Sequence, residues 1–593
     1  MIRSRNEGRM AMGILALFVI SPFLVGYSSP AAAAPDSCGE WVAKAVSVQG
    51  TVQAKKSGQG AWIDVYLNDT FCPGDVIRVG ERSRASIYLS NDSLIRLDEK
   101  SAVTFTGFDR DRGFLLEMIS GIVHFFSRMP RSLTVVTPFV NGTVEGTEFL
   151  VAVYRKRAVI SVLEGRVAAE NAEGRLIAAG GQEVSAEAGN ALVLRAPVHP
   201  RDAVHWALYY PPVIEYRPGD FPGGTSGGWQ AAIRRSIRAY WEGDISKAFS
   251  CLADASNAPS DARFFVYRAG LLLSVGRVRE AASDIQKALA VNPQSAQALA
   301  LRSVVALTQN EKDKAIDLAN AAVKLDAESP SARVALSYAQ QARFNLQGAL
   351  ESLLEAVRLE PENALVLARL AEIRLSLGHL DESLESSQKA VRIRPKLART
   401  QTVLGFACLS QMKIQDALDT FSTAIRLDQG DPLPRLGLGL AKIRQGGLHE
   451  GRAEIEIAAS LDPNNALIRS YLGKAYFEER RGNLAANQLK SAKELDPLDP
   501  TPYFYDAIRK QTENRPVEAL QDLQKSIERN DNRAVYRSRL MLDQDLAARS
   551  ASLGRIYRNL GFEQLALVEG WKSVNTDPGN YSAHRFLADS YSS

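Results

Sequence analysis

The run Gly224-Thr225-Ser226-Gly227-Gly228 has the G-x-S-x-G spacing of a hydrolase nucleophile. That chemistry needs a strained strand-to-helix turn that lifts the serine hydroxyl clear of a parallel sheet, within reach of a histidine. Here Phe221-Pro222-Gly223 lead in, a breaker sequence and not a strand, so the run reads as linker and a hydrolase using Ser226 is disfavoured. The six histidines (His124, His199, His205, His379, His449 and His584) show no i, i+4 pairing with one another and no cysteine beside them. Neither a metal site nor a cofactor is expected from them. Gly437-Leu438-Gly439 sits inside a helical pattern, where glycine serves close packing and not phosphate binding. The chain is expected not to be an enzyme.

A chain of 593 residues, 46% hydrophobic and 23% charged, has globular composition and room for roughly four domains of ~150 residues. Lys and Arg number 71 against 67 Asp and Glu, a formal +4, too small a surplus to recruit nucleic acid by bulk charge. Arg3, Arg5 and Arg9 precede an apolar run from Ala11 to Val25, and Ala31 to Ala34 follow. A basic start, a short apolar core and a small-residue end make residues 1–34 a secretory signal peptide. The run falls short of the ~20 residues that span hydrocarbon, and no later stretch is long and apolar enough. The chain is therefore expected to be periplasmic or otherwise exported, with no transmembrane helix after cleavage. Export places Cys38 and Cys72 where a disulfide can form, closing a loop worth ~3–4 kcal/mol in the chain-entropy model. Cys251 and Cys408 fall in helical patterns and read as small buried hydrophobes.

The C-terminal part repeats. Ala269, Ser303, Ser337, Ala371, Gly405, Gly439, Gly473 and Ala507 are each 34 residues after the last. Two further small-residue series, from Ala281 and from Ala288, keep the same period, and Pro293, Pro361, Pro395, Pro463 and Pro497 close several units. This pattern resembles the tetratricopeptide repeat, a helix–turn–helix unit with small residues where paired helices cross. The resemblance implies an all-α solenoid of about ten units over residues 229–580, including a degenerate first unit and a 13-residue insertion after Asp531. Residues 581–593 read as a capping helix or the start of a further repeat. By analogy with the family, first-helix positions line a groove: Arg399, Thr402, Phe406 and Leu409, then Leu433, Leu436, Leu440 and Ile443, then Leu467 and Ser470. An aliphatic floor of this kind suits an extended peptide or an amphipathic helix. The other reading is that these side chains are buried by packing.

Residues 41–195 change to period-two alternation, as in Arg84–Leu89 and Ser93-Leu94-Ile95-Arg96-Leu97, with turn clusters such as Cys72-Pro73-Gly74-Asp75 between the runs. An all-β domain is expected. Pro73-Gly74-Asp75-Val76-Ile77, Gly121-Ile122-Val123, and Thr137-Pro138 leading to Glu145-Gly146-Thr147-Glu148-Phe149 resemble the FecR family. That resemblance implies the export-side sensing domain of certain sigma-factor regulators. Such regulators carry a cytoplasmic anti-sigma segment ahead of the membrane helix. Only ten residues precede the apolar run here, so direct sigma-factor control is not expected. Residues 196–228 hold six prolines and five glycines and read as a linker. Trp206, Tyr209, Tyr210 and Tyr216 are expected to pack against one of its neighbours.

The fold class expected is an all-β FecR-like domain followed by an all-α tetratricopeptide solenoid. The function expected is an exported, non-enzymatic scaffold that binds a protein or peptide partner in the cell envelope through the groove, with possible outer-membrane association. The FecR-like domain would serve as a second interaction or sensing module. The alternative is a signalling component that relays occupancy of an outer-membrane receptor.

Overall fold

A computed structural model describes residues 41–109, 113–127, 130–145, 148–197, 200–223, 228–253, 261–529 and 545–592. The expected signal segment, Cys38 and Ser226 lie outside the described residues.

From Trp229 onward the chain forms antiparallel helix pairs, from Trp229–Trp241 with Ile245–Ala253 to Asp545–Asn559 with Glu563–Thr576, followed by Tyr581–Tyr591. Local chemistry starts and stops each pair in phase. Ser295, Ser329, Asn363, Asp431, Asn465 and Asp499 cap successive first helices, each side chain accepting a backbone N–H of the first turn. Leu397 holds the same repeat position without a capping side chain. The turn between paired helices needs a left-handed residue, and Gly276, Asn310, Phe344, Gly378, Met412, Gly446, Arg480 and Asn514 supply it at one period. The small residues stand where helices cross. Ser303 Oγ donates to Ala315 O at 2.8 Å and Ser383 Oγ to Ala371 O at 2.7 Å, so serine both fits the crossing and fastens it.

In the β region two sheets share the strand Gly113–Phe126. Its first half pairs antiparallel with Ala102–Asp109 and parallel with Pro130–Val136. Its second half pairs with Leu94–Leu97 and Glu148–Val153 in the other sheet. The switch falls at Gly121, at φ +92°, where a side chain would strike Ser101. The core between the sheets holds Ile77, Ile87, Ile95, Leu97, Val123 and Phe125, with Phe125 stacked on Phe149 at 4.7 Å.

Alternation puts Leu94, Arg96, His124, Phe126, Glu148, Leu150 and Ala152 on the opposite face, and that face is buried too. Leu94 and Phe126 join a cluster with the helices, while Leu150 and Ala152 pack with Val204, Trp206 and Ala207. The helical array and the proline-rich segment cover that face. That segment behaves as a strap. Tyr216 packs edge-on against Tyr267 at 4.9 Å and its hydroxyl donates to Val266 O. Glu215 accepts from Arg394 at 3.0 Å. Residues 41–593 pack as one compact unit.

Candidate functional site

The groove residues expected from the repeat lie mostly out of reach of solvent. Arg399, Thr402, Phe406, Leu409, Leu436, Leu440 and Ser470 are buried, while Leu433, Ile443 and Leu467 are half-buried. Phe406, Leu409, Leu436 and Leu440 belong to one cluster with Val46, Leu94 and Phe126 of the β region, and Leu433, Ile443 and Leu467 pack at its edge. Thr402 Oγ1 and Ser470 Oγ bond back to their own helices, at Ala398 O and Ala466 O. Arg399 pairs with Glu372 and donates to Tyr338 Oη at 3.2 Å. Part of the inner wall is taken up by the chain's own β region, through Val46, Leu94 and Phe126, while Arg399, Leu433 and Leu467 also line a cavity of about 280 Å³ beside Tyr209 and Pro211.

Charged groups fasten that occupant. Arg469 sends Nη1 to Glu148 Oε2 at 2.7 Å and Nη2 to Oε1 at 2.8 Å, a bidentate pair with both partners buried. His124 Nε2 lies 3.1 Å from Glu148 Oε1. Burial alone would raise the Glu148 carboxyl, but Arg469 and His124 outweigh it and hold the group well below the usual carboxylate range. Arg469 also donates to Pro463 O and Gln488 Oε1, and Gln488 Nε2 reaches Glu164 Oε2 at 3.1 Å. Arg277 forms a second clamp, pairing with Asp98 and, through Nη1, with Glu99 Oε1 at 3.1 Å. Arg435 Nη2 donates to Val46 O at 2.7 Å, and Val48 N donates to Gln429 Oε1 at 2.8 Å.

Arg84 ties three parts together. From the strand Arg84–Leu89 it donates to Trp206 O and Leu208 O of the strap, to Ser274 O of a helix end and to Gln49 Oε1. Burial, with Arg277 nearby, lowers this guanidinium to about 10. Arg96 is the exception. It is buried, and none of its nitrogens has a hydrogen-bond partner among the described residues, although Asp462, Asp98 and Asp428 act on it electrostatically. Burial pushes its pKa well below the guanidinium range.

Repeat phase pointed to the residues from Arg399 to Ser470 as a groove or as packing, and did not point to Glu148, Arg469, Arg277 or Asp98. One signal was available: Arg435 and Arg469 stand at the same repeat position, one period apart, and both reach the β region. Cys72 is disulfide-bonded, and Cys251 and Cys408 are free. Among the described residues no group of three His, Cys, Asp or Glu is placed to hold a metal ion. No helix among them is long and apolar enough to cross a membrane.

These two parts match known families. The family described as FecR protein matches residues 75–168, and tetratricopeptide repeat families match residues 255–330, 364–397 and 436–500. The chain carries a FecR domain followed by tetratricopeptide repeats. No curated protein matches it. Among solved structures, the Cut9–Hcn1 hetero-tetramer of the APC/C is 16% identical, with a TM-score of 0.40 over 62% of this chain and 84% of that one. A tetratricopeptide repeat protein from Parabacteroides merdae is 16% identical, with a TM-score of 0.31 over 45% of this chain and all of its own. A Parabacteroides distasonis protein assigned as an anti-sigma factor is 19% identical, with a TM-score of 0.21 over 23% of this chain and 67% of its own. Likeness at this level carries no information on partner or ligand. The contacts between the FecR domain and the tetratricopeptide array are this chain's own.

Proposed function

We propose that this is an exported, non-catalytic interaction protein of the cell envelope, in which the FecR domain and the tetratricopeptide array act as one binding body. The observation that carries the reading is the covered inner wall. The surface by which such an array grips a polypeptide holds the FecR domain through Arg469–Glu148 and Arg277–Asp98, so an envelope partner meets the composite and not an open groove. Export draws on Arg3, Arg5, Arg9 and the apolar run after them, and Cys38 is the proposed partner of Cys72.

A second reading, the relay of receptor occupancy, draws support from Arg96. A buried cation without hydrogen bonds weakens the docked state, which favours a domain that can be released. Released, the wall from Arg399 to Ser470 would take the partner.

Capture from envelope extract separates the two. Full-length protein and an Arg469→Ala, Arg277→Ala variant are each immobilised, and hydrogen exchange follows the strand Glu148–Val153. The composite reading expects the native chain to capture a defined envelope protein while that strand stays protected. Capture by the loosened variant alone would overturn it in favour of the relay.

A further inference from the structure

A cleft of about 850 Å³ opens beside the FecR domain. Its walls are the turn around Gly50, the segment Asp64–Leu67, the strap, the turn Tyr240–Ser246 of the first repeat, and the inter-repeat turns at Ile393–Arg399 and Arg426–Gln429. Three rings stand at its mouth with much of their surface in water, Tyr66 at 68%, Tyr240 at 38% and Trp241 at 37%. Behind it lies a second chamber of about 110 Å³, lined mainly by apolar side chains such as Ile237, Leu271, Leu301 and Leu365. Tyr209, Pro212, Tyr240, Trp241 and Leu397 line both spaces. Cavities of ~150 Å³ accept a benzene ring, so this smaller chamber is on the scale of one branched aliphatic side chain or part of an aromatic one.

The exposed charges of the cleft are sorted by wall, and the half-buried Asp428, beside Arg426, accepts from the Tyr209 hydroxyl at 3.4 Å. Lys396 and Arg426 stand on the side of the middle repeats. Asp64 of the FecR domain and Glu242 and Asp244 of the first repeat stand on the other sides. None of the five forms an ion pair among the described residues, unlike Arg394, which is held by Glu215 and stacks on Trp241 at 3.9 Å.

The geometry points to a binding site for an extended peptide segment of a partner protein, with one bulky apolar residue in the chamber, an acidic residue toward Lys396 and Arg426, and a basic residue toward Asp64, Glu242 and Asp244. A peptide fits better than a sugar chain, because a polyhydroxylated ring would lose its hydrogen bonds in the apolar chamber. The proposal rests on the composite reading above and names where that body meets its partner.

The probe is a fluorescent, end-capped peptide Glu-Gly-X-Gly-Lys, with X as Phe, Leu or Ala, titrated into the full-length protein. The Phe and Leu probes should bind at least tenfold more tightly than the Ala probe. Lys396→Glu and Glu242→Lys, both at exposed positions, should each weaken the Phe probe at least fivefold with the helical signal unchanged. Equal affinity for X as Phe and Ala, indifference to both charge reversals, or displacement by a neutral glucan tetrasaccharide would overturn the proposal. Hydrogen exchange on Glu148–Val153 in the same samples reports separately on the composite body. Protected strands with no probe binding sink the cleft alone, and lost protection sinks the reading beneath it.

Discussion

Arg469 and Glu148 stand 321 positions apart in the chain and meet through two parallel hydrogen bonds of 2.7 and 2.8 Å, both side chains buried between the FecR domain and the array. A buried pair of this kind adds little over an apolar pair of the same volume, but leaving one member alone strands a charge. Arg469→Ala or Glu148→Ala should therefore loosen docking by ~3–5 kcal/mol, and the joint change Arg469→Met with Glu148→Leu by much less. Hydrogen exchange on Leu94–Leu97, which flanks Gly113–Phe126 on the side opposite the Glu148 strand and is not mutated, reads the difference.

Acid should tighten the same assembly. Burial raises the Asp431 carboxyl from 3.8 to about 7, with Arg399 opposing and Asp428 adding to the effect, and burial raises Asp462 to about 6. The folded pKa values lie above the unfolded one, so the native state binds more protons between about pH 4 and 7. This contribution to stability is greatest at the acid end of that window and is lost as pH rises through it. Glu148, shifted the other way, favours the fold at neutral pH and withdraws only on stronger acidification. The midpoint of urea unfolding should be higher at pH 5 than at pH 8. Asp431→Asn, which keeps an oxygen for the N–H of Leu433, should narrow that gap.

Gly437 should not accept a methyl group. A Cβ there would overlap the Phe421 ring, which is wedged between two glycines, since a Cβ at Gly405 would also lie 2.6 Å from it, and the Phe406 ring stands 4.8 Å away. Gly437→Ala should destabilise by ~1–3 kcal/mol, and Phe421→Leu in the same chain should recover part of the loss. Urea unfolding of the two single variants and the double variant measures the coupling.

Met412 should improve on replacement by glycine. It sits at φ +61° in the turn between paired helices, 57% exposed, where the equivalent repeats carry Gly378 and Gly446. Relief of the left-handed strain outweighs the greater freedom glycine gives the unfolded chain, so Met412→Gly should gain up to ~1 kcal/mol. Gly378→Ala should lose a similar amount, and thermal unfolding of both variants checks the sign.

What the sequence determined by itself is local and periodic. The helix pairs were legible because each rests on contacts within one or two repeats: small residues at 269, 303, 337 and onward, and closing prolines such as Pro463. Alternation likewise marked strands such as Leu94–Leu97, because side chains on a strand point to opposite faces whatever lies beyond them. Only the tertiary structure decided what covers those faces. The same alternation that reads as one solvated side holds for a sheet buried on both, so Arg96 and Glu148 gave no local sign of burial. The residues from Arg399 to Ser470 were recognisable from repeat phase, but what packs beside them depends on Arg469 finding Glu148 across 321 positions and Arg277 finding Asp98 across 179. Repeat phase can mark one member of such a pairing, as with Arg435 and Arg469, but not its partner, because the pairing is set by how two independently patterned surfaces fit and by which charges lose their water together.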